Sequence, residues 1–216
     1  MEILKILGYS IVTLGLLFTS ELIRKSGKTQ PEFTRKLSHI SAGLLGVSFF
    51  FIYSEWWAVL VYTGVFSVLL TVAYYYKHLN SIHGVERKTW GAQLFPISVG
   101  LCFTAQSILK VPEIYCPAIL TLTFADPAAS IIGSRWPVFK YKLWKSNKSI
   151  GGSASFFLVA LLVSSIFNMF FTQQPISLDV LIIACITATF MEAAIGWGFD
   201  NFVVPASYIL VYFLIK

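Results

Sequence analysis

Three acids stand where hydrocarbon is expected to surround them. Asp126, Glu192 and Asp200 lie in or beside long apolar runs of this chain. A carboxylate in a bilayer is costly unless it is paired, neutralised or put to use. Asp126 is the most exposed to this argument. It sits in Leu122-Thr123-Phe124-Ala125-Asp126-Pro127-Ala128-Ala129-Ser130-Ile131-Ile132-Gly133, where the proline frees a backbone carbonyl and small residues let neighbouring helices approach. Such an acid suits metal binding or proton acceptance beside a phosphate group; the alternative is an acid neutralised by a partner such as Arg35 to fix helix packing. Glu192, Asp200 and Asn201 put two acids and an amide at one helix turn. That set suits Mg2+, which takes a few carboxylates plus waters and phosphate oxygens. A helix cap is the alternative for Asp200.

Two basic stretches add the opposite charge. Asn147-Lys148-Ser149-Ile150-Gly151-Gly152-Ser153 precedes an apolar run. Glycines let a backbone approach phosphate oxygens, and a helix N-terminus offers free N–H groups. Lys148 adds a point charge. No P-loop pattern is present, and a basic loop with an N-capping serine is the alternative. Arg35-Lys36-Leu37-Ser38-His39 places His39 one turn beyond Arg35 on the same helical face. A lone histidine is more often a packed hydrogen-bonder than a base. His78 and His83 lack metal-ligand spacing and are expected to be solvated, and Glu21 is expected to pair with Lys25 at i,i+4.

The elements that must position these groups are apolar. Of the 216 residues, 56% are hydrophobic and 12% charged, more apolar surface than a soluble domain of this size can hide. The composition predicts an all-α polytopic integral membrane bundle of seven to eight transmembrane helices, forming one domain over residues 1–216. The runs are continuous rather than alternating, which excludes a transmembrane β-barrel. Expected spans are Ile3–Ile23, Leu37–Tyr53, Trp56–Tyr76, Gly91–Leu109, Pro112–Gly133, Gly152–Phe171, Leu178–Ile195 and Phe202–Ile215, the last being short. Pro96 and Pro127 predict kinks or breaks. The first run lacks a small-residue cleavage site and reads as a retained helix. Cys102, Cys116 and Cys185 lie in apolar runs without metal or disulfide spacing and are expected in the core. Trp56, Trp57, Trp90, Trp136 and Trp144 border the spans as an interfacial belt.

Charge gives the orientation. The net charge is +6, and 13 of the 16 Lys and Arg fall in three alternate loops, 24–36, 77–90 and 134–150. Those loops are expected in the cytoplasm. Arg35, Trp90-Gly91, Lys148, Glu192 and Asp200 then gather at the cytoplasmic face. Asp126, seven residues before Gly133, lies about 10 Å inside it at ~1.5 Å per residue. The expectation is an intramembrane enzyme with a cytoplasm-facing site that reads a charged, water-borne substrate. No nucleic-acid partner is expected, and the oligomeric state is not legible.

In order, these segments resemble the polyprenol/phytol kinase family, which includes dolichol kinase and CTP-dependent diacylglycerol kinase. The resemblance rests on Arg35-Lys36-x-x-His39, Trp90-Gly91, Asp126-x-x-Ala129-x-x-x-Gly133, Lys148-Ser149-x-x-Gly152-Ser153, Glu192 and Asp200-Asn201-x-x-x-Pro205. It covers residues 20–216. No single motif is specific; the order of the five is. Ala125 stands where the family often has Gly, and Gly151 where it often has Glu or Ala.

The resemblance implies phosphoryl transfer from CTP to a lipid alcohol, of the polyprenol or phytol type or diacylglycerol, with Mg2+. Asp126 and Asp200 are then expected at the metal, with Glu192 a third ligand or a base. Arg35, Lys36, Lys148, Asn201 and the Gly151–Gly152 backbone are expected around the nucleotide, helped by the Ser149 and Ser153 hydroxyls. Asp126, Glu192 or His39 would activate the alcohol. A phosphatidate cytidylyltransferase is the rival, although its Lys-Asp and His-Gly-Gly-x-x-Asp-Arg runs are absent. A small transporter is a further alternative, disfavoured by the lack of internal repeats.

Overall fold

The computed structural model describes residues 1–27, 29–83, 89–144, 146–172 and 174–215. Lys28, Arg87, Lys88 and Lys145, counted above in the basic loops, lie outside the described residues, as does the side chain of His83. Eight long helices are described: α1 (Glu2–Lys25), α2 (Pro31–Ile52), α3 (Trp56–Tyr75), α5 (Gly91–Leu109), α6 (Pro112–Arg135), α7 (Ile150–Phe170), α8 (Leu178–Ala194) and α9 (Asp200–Ile215). A single turn, α4 (Asn80–His83), and a hairpin of β1 (Lys140–Leu143) and β2 (Ser146–Ser149) complete the order. Five helices, α1, α3, α5, α6 and α7, are long and apolar enough to cross a membrane.

Local chemistry sets the ends. Helix α2 starts six residues before its expected span, because Pro31 and Glu32 suit a first turn by fixed φ and by charge. This puts Arg35 and Lys36 on the helix itself. Lys110 takes a left-handed conformation that ends α5 and turns the chain directly into α6. Ser149 caps α7, its hydroxyl accepting the Gly152 N–H at 3.2 Å.

Of the kinks or breaks expected at Pro96 and Pro127, no break is found: α5 and α6 run on as helices through both. Packing holds α6 in place. It sits at the centre of the bundle, with Ile114, Ile119, Leu122 and Ala125 fully buried. Its closest partner is α7, and α3 with α5 and α8 with α9 are the next most extensive pairs. At the α6–α7 crossing, a Cβ on Gly152 would meet the Ala129 carbonyl oxygen at 3.1 Å and the Gly133 Cα at 3.3 Å. Glycine there lets the two backbones touch.

A polar hub ties four helices in mid-bundle. The Tyr208 hydroxyl of α9 lies 2.8 Å from Thr121 Oγ1 of α6, 3.2 Å from Ser164 Oγ of α7 and 3.1 Å from Cys185 Sγ of α8. Buried polar groups are costly alone, so each here satisfies another. Cys102, Cys116 and Cys185 are free and buried, as expected. The five tryptophans of the expected belt are all exposed. Glu21 does not follow its expected pairing: its carboxylate accepts the Ser81 N–H at 2.9 Å, tying α1 to α4.

Candidate active site

At the end of the bundle that carries the hairpin, the structure encloses a polar cavity of about 750 Å³. Six parts of the chain build it. Arg35 comes from α2, Thr89 and Gly91 from the entrance to α5, Asp126 and Ser130 from α6. The hairpin and the start of α7 supply Lys140, Tyr141, Lys142, Lys148, Ser149 and Ser153. Glu192 ends α8, and Asp200 and Asn201 begin α9. Four cations (Arg35, Lys140, Lys142, Lys148) therefore face three carboxylates (Asp126, Glu192, Asp200). The separate sequence neighbourhoods do meet.

The acids are not equivalent. Glu192 is 3% exposed and forms an ion pair with Lys148 through Oε1. Its Oε2 is buried and has no hydrogen-bond partner among the described residues. Burial pulls the Lys148 ammonium toward its neutral form, but the Glu192 carboxylate beside it prevails, so its pKa is raised and it stays charged. Asp200 Oδ1 accepts the N–H of its own neighbour Asn201 at 3.0 Å, at the start of α9. Asp126 has no hydrogen bond or ion pair among the described residues, and its charge is felt by Arg35, Lys148, Glu192 and Asp200. The pairing of Asp126 with Arg35, weighed as a structural alternative, is not formed. The Arg35 guanidinium is held instead by Glu32, at 3.0 Å from Nε and 2.7 Å from Nη2.

Among the described residues no group of three metal-ligating side chains is preassembled. The three-carboxylate set expected from the sequence is not closed, because Glu192 is engaged by Lys148. What remains is an open pair, Asp126 and Asp200, whose like charges act on one another. Two carboxylates lining one polar cavity fit Mg2+, which keeps several waters and takes phosphate oxygens.

Several expected residues have other work. The Gly152 N–H is spent on Ser149, and its missing side chain admits Ala129 and Gly133. A Cβ on Gly151 would meet the Trp136 carbonyl oxygen at 3.2 Å. The two glycines thus serve packing, and the expected cradle of free N–H groups is absent at Gly152. Asn201 donates to the Gly91 carbonyl oxygen at 2.8 Å, and Gly198, at φ +88, sits where a Cβ would strike the Gly91 nitrogen at 2.2 Å. Trp90-Gly91 is therefore a docking point for the α8–α9 turn. Lys36 pairs with Glu32 at 3.6 Å and is not among the residues lining the cavity. His39 Nε2–H donates to the Leu122 carbonyl oxygen at 2.9 Å, in the turn before Pro127, and its ring packs edge-on against Phe95. Ser153 meets the Tyr141 hydroxyl at 2.6 Å.

Sequence reasoning missed Glu32, Tyr141 and the hairpin. Glu32 had a signal, its i,i+3 spacing from Arg35. Tyr141 is cross-strand from Lys148 in the antiparallel register, which a four-residue strand in a basic loop does not announce.

Comparison with known proteins finds two lipid kinases. Over 207 residues the chain is 28% identical to a phytol kinase of Synechocystis sp., covering 94% of this chain and 88% of that protein. Over 132 residues it is 29% identical to CTP-dependent diacylglycerol kinase 1 of Schizosaccharomyces pombe, covering 56% of this chain and 58% of that protein. The chain resembles this family of lipid kinases. No protein-family model and no solved structure matches it.

Proposed function

We propose that this chain is a lipid-alcohol kinase of the membrane, transferring the terminal phosphoryl group of CTP to the hydroxyl of a lipid alcohol. The observation that carries this reading is the cavity itself. Two carboxylates without internal ion-pair partners stand among four cations, at the end of an apolar bundle. The likeness to a phytol kinase and to a CTP-dependent diacylglycerol kinase supports the reaction class and the donor. The eight long helices span the bilayer as one domain, and the lysine-rich hairpin faces the cytoplasm, where nucleotide is available.

Phosphoryl transfer asks mainly for positioning and neutralisation. Lys148 and Arg35 hold phosphate oxygens, each released in part from its carboxylate when the more highly charged triphosphate arrives. Lys140 and Lys142 add attraction at the mouth. Asp126 and Asp200 would hold Mg2+, whose part is to offset the charge of the triphosphate. Of the three candidate bases, Glu192 is paired with Lys148, and His39 is not among the residues lining the cavity. Asp126 has no partner among the described residues; one of its two carboxylate oxygens would serve Mg2+, and the other takes the hydroxyl proton. The alcohol oxygen then bonds to the terminal phosphorus as the bridging P–O bond breaks, and CDP leaves with the electron pair.

The test is a pair of labels. Purified protein is given a lipid alcohol and phosphatidate together, with CTP labelled either in the γ-phosphate or in cytidine. The γ label is expected in the lipid. Cytidine label in the lipid would make the protein a cytidylyltransferase and overturn the reading.

A further inference from the structure

A second, smaller cavity of about 170 Å³ adjoins the polar one, between α1, α2, α3 and α5. The two share a wall of Arg35, Thr89, Gly91 and Asn201. Beyond that wall the lining is mostly apolar, with Ala42, Phe95 and Val99 along its length. On α2 it reaches from Arg35 to Phe49, 14 positions or about 21 Å at ~1.5 Å per residue. That is some two-thirds of a ~30 Å hydrocarbon core.

Phe49 and Tyr62 mark the far end of this groove. Their rings meet edge-on with centroids 5.3 Å apart, and Tyr9 packs against Phe49 at 5.1 Å. Phe66 lies 4.8 Å from Tyr62, and the Tyr62 hydroxyl is hydrogen-bonded to Thr13 of α1. Phe49 is 2% exposed and Tyr62 5%. Aromatic contacts of this kind resist rearrangement, so the end is a fixed stop rather than a loose gap.

We infer that this groove holds the hydrocarbon tail of the acceptor, that it admits one chain, and that Phe49 and Tyr62 gauge its length. The inference rests on the kinase reading for its head group, which Arg35 and Thr89 would meet where groove and cavity join. The substrate class is a single-chain alcohol of prenyl type, not a two-chain diacylglycerol. A cavity of about 170 Å³ is filled by one such chain, and the single far stop at Phe49 and Tyr62 can gauge one chain end.

The full-length protein with CTP is assayed on single-chain prenols of increasing length and on diacylglycerol, for the wild type, Phe49→Ala and Ala42→Leu. Removing the stop should raise the kcat/KM ratio of long over short prenols by about tenfold. Leucine at position 42, between the wall and the stop, should lower the same ratio by about tenfold. If Phe49→Ala does not fold, Ala42→Leu decides. A photoreactive prenol, without nucleotide, should crosslink to α2 or α3. Equal use of diacylglycerol, an unmoved chain-length preference in the folded variants, or crosslinks confined to other helices would overturn the groove. Crosslinking to α2 or α3 with no phosphorylation of any lipid would instead remove the kinase reading and leave the groove standing.

Discussion

At the scale of single residues, the site contrasts acids that are engaged with acids that are open. Asp126 has no ion pair to lose, so Asp126→Asn should leave folding and insertion intact while kcat falls about 10²–10⁴-fold. Turnover close to normal in a monodisperse Asp126→Asn protein would make Asp126 structural. Lys148 is held by Glu192 and, in the proposed reaction, passes to a phosphate oxygen. Lys148→Ala should therefore raise the KM for nucleotide by roughly ten- to a hundredfold, as a lost charge-assisted contact of about 1.5–3 kcal/mol requires. The KM for the lipid alcohol should barely move; if it alone rises, Lys148 faces the lipid head group. The acids were legible because a charge in or beside an apolar run is conspicuous, and Arg35 and Lys148 because each stands in a basic stretch just before such a run. Glycine and serine were not: Gly152 and Ser149 look alike whether they cradle a phosphate or cap and pack a helix, and only the contacts with Ala129 and Gly133 separate the two.

At the scale of elements, α6 and α7 fix the frame. Valine at position 152 would force its side chain against the Ala129 carbonyl and Gly133. Gly152→Val should cost about 1–3 kcal/mol of overpacking, seen as a lower melting temperature in detergent even before activity is measured. An unchanged melting temperature would mean that α6 and α7 have room that the structure does not show. All eight long helices were legible from continuous apolar runs, with ends within a few residues except at α2. There, charged residues continue the helix beyond the apolar run and hide its start. The hairpin was not legible, because its register follows from how Lys140–Leu143 meets Ser146–Ser149 and not from any alternation of apolar residues. The alternative of a break at Pro127 failed for a related reason: propensity is local, and the packing around α6 outweighs it.

At the scale of the whole molecule, the proposed orientation rests on the alternate basic loops. A single cysteine at Lys142 should resist an impermeant thiol reagent in intact cells and react after permeabilisation, whereas one at Lys110 should react from outside. The opposite pattern would invert the topology and remove the site's access to cytoplasmic nucleotide. The wall of Arg35, Thr89, Gly91 and Asn201 divides the bundle unevenly. On one side, α6 to α9 are bound by the Tyr208 hub and the Gly133–Gly152 contact. On the other, α1, α2, α3 and α5 line a groove whose stop is a pair of side chains. A change at that stop touches none of the contacts that join α6 to α9. New acceptors can be acquired by changes at the groove floor, with the machinery of transfer inherited unaltered.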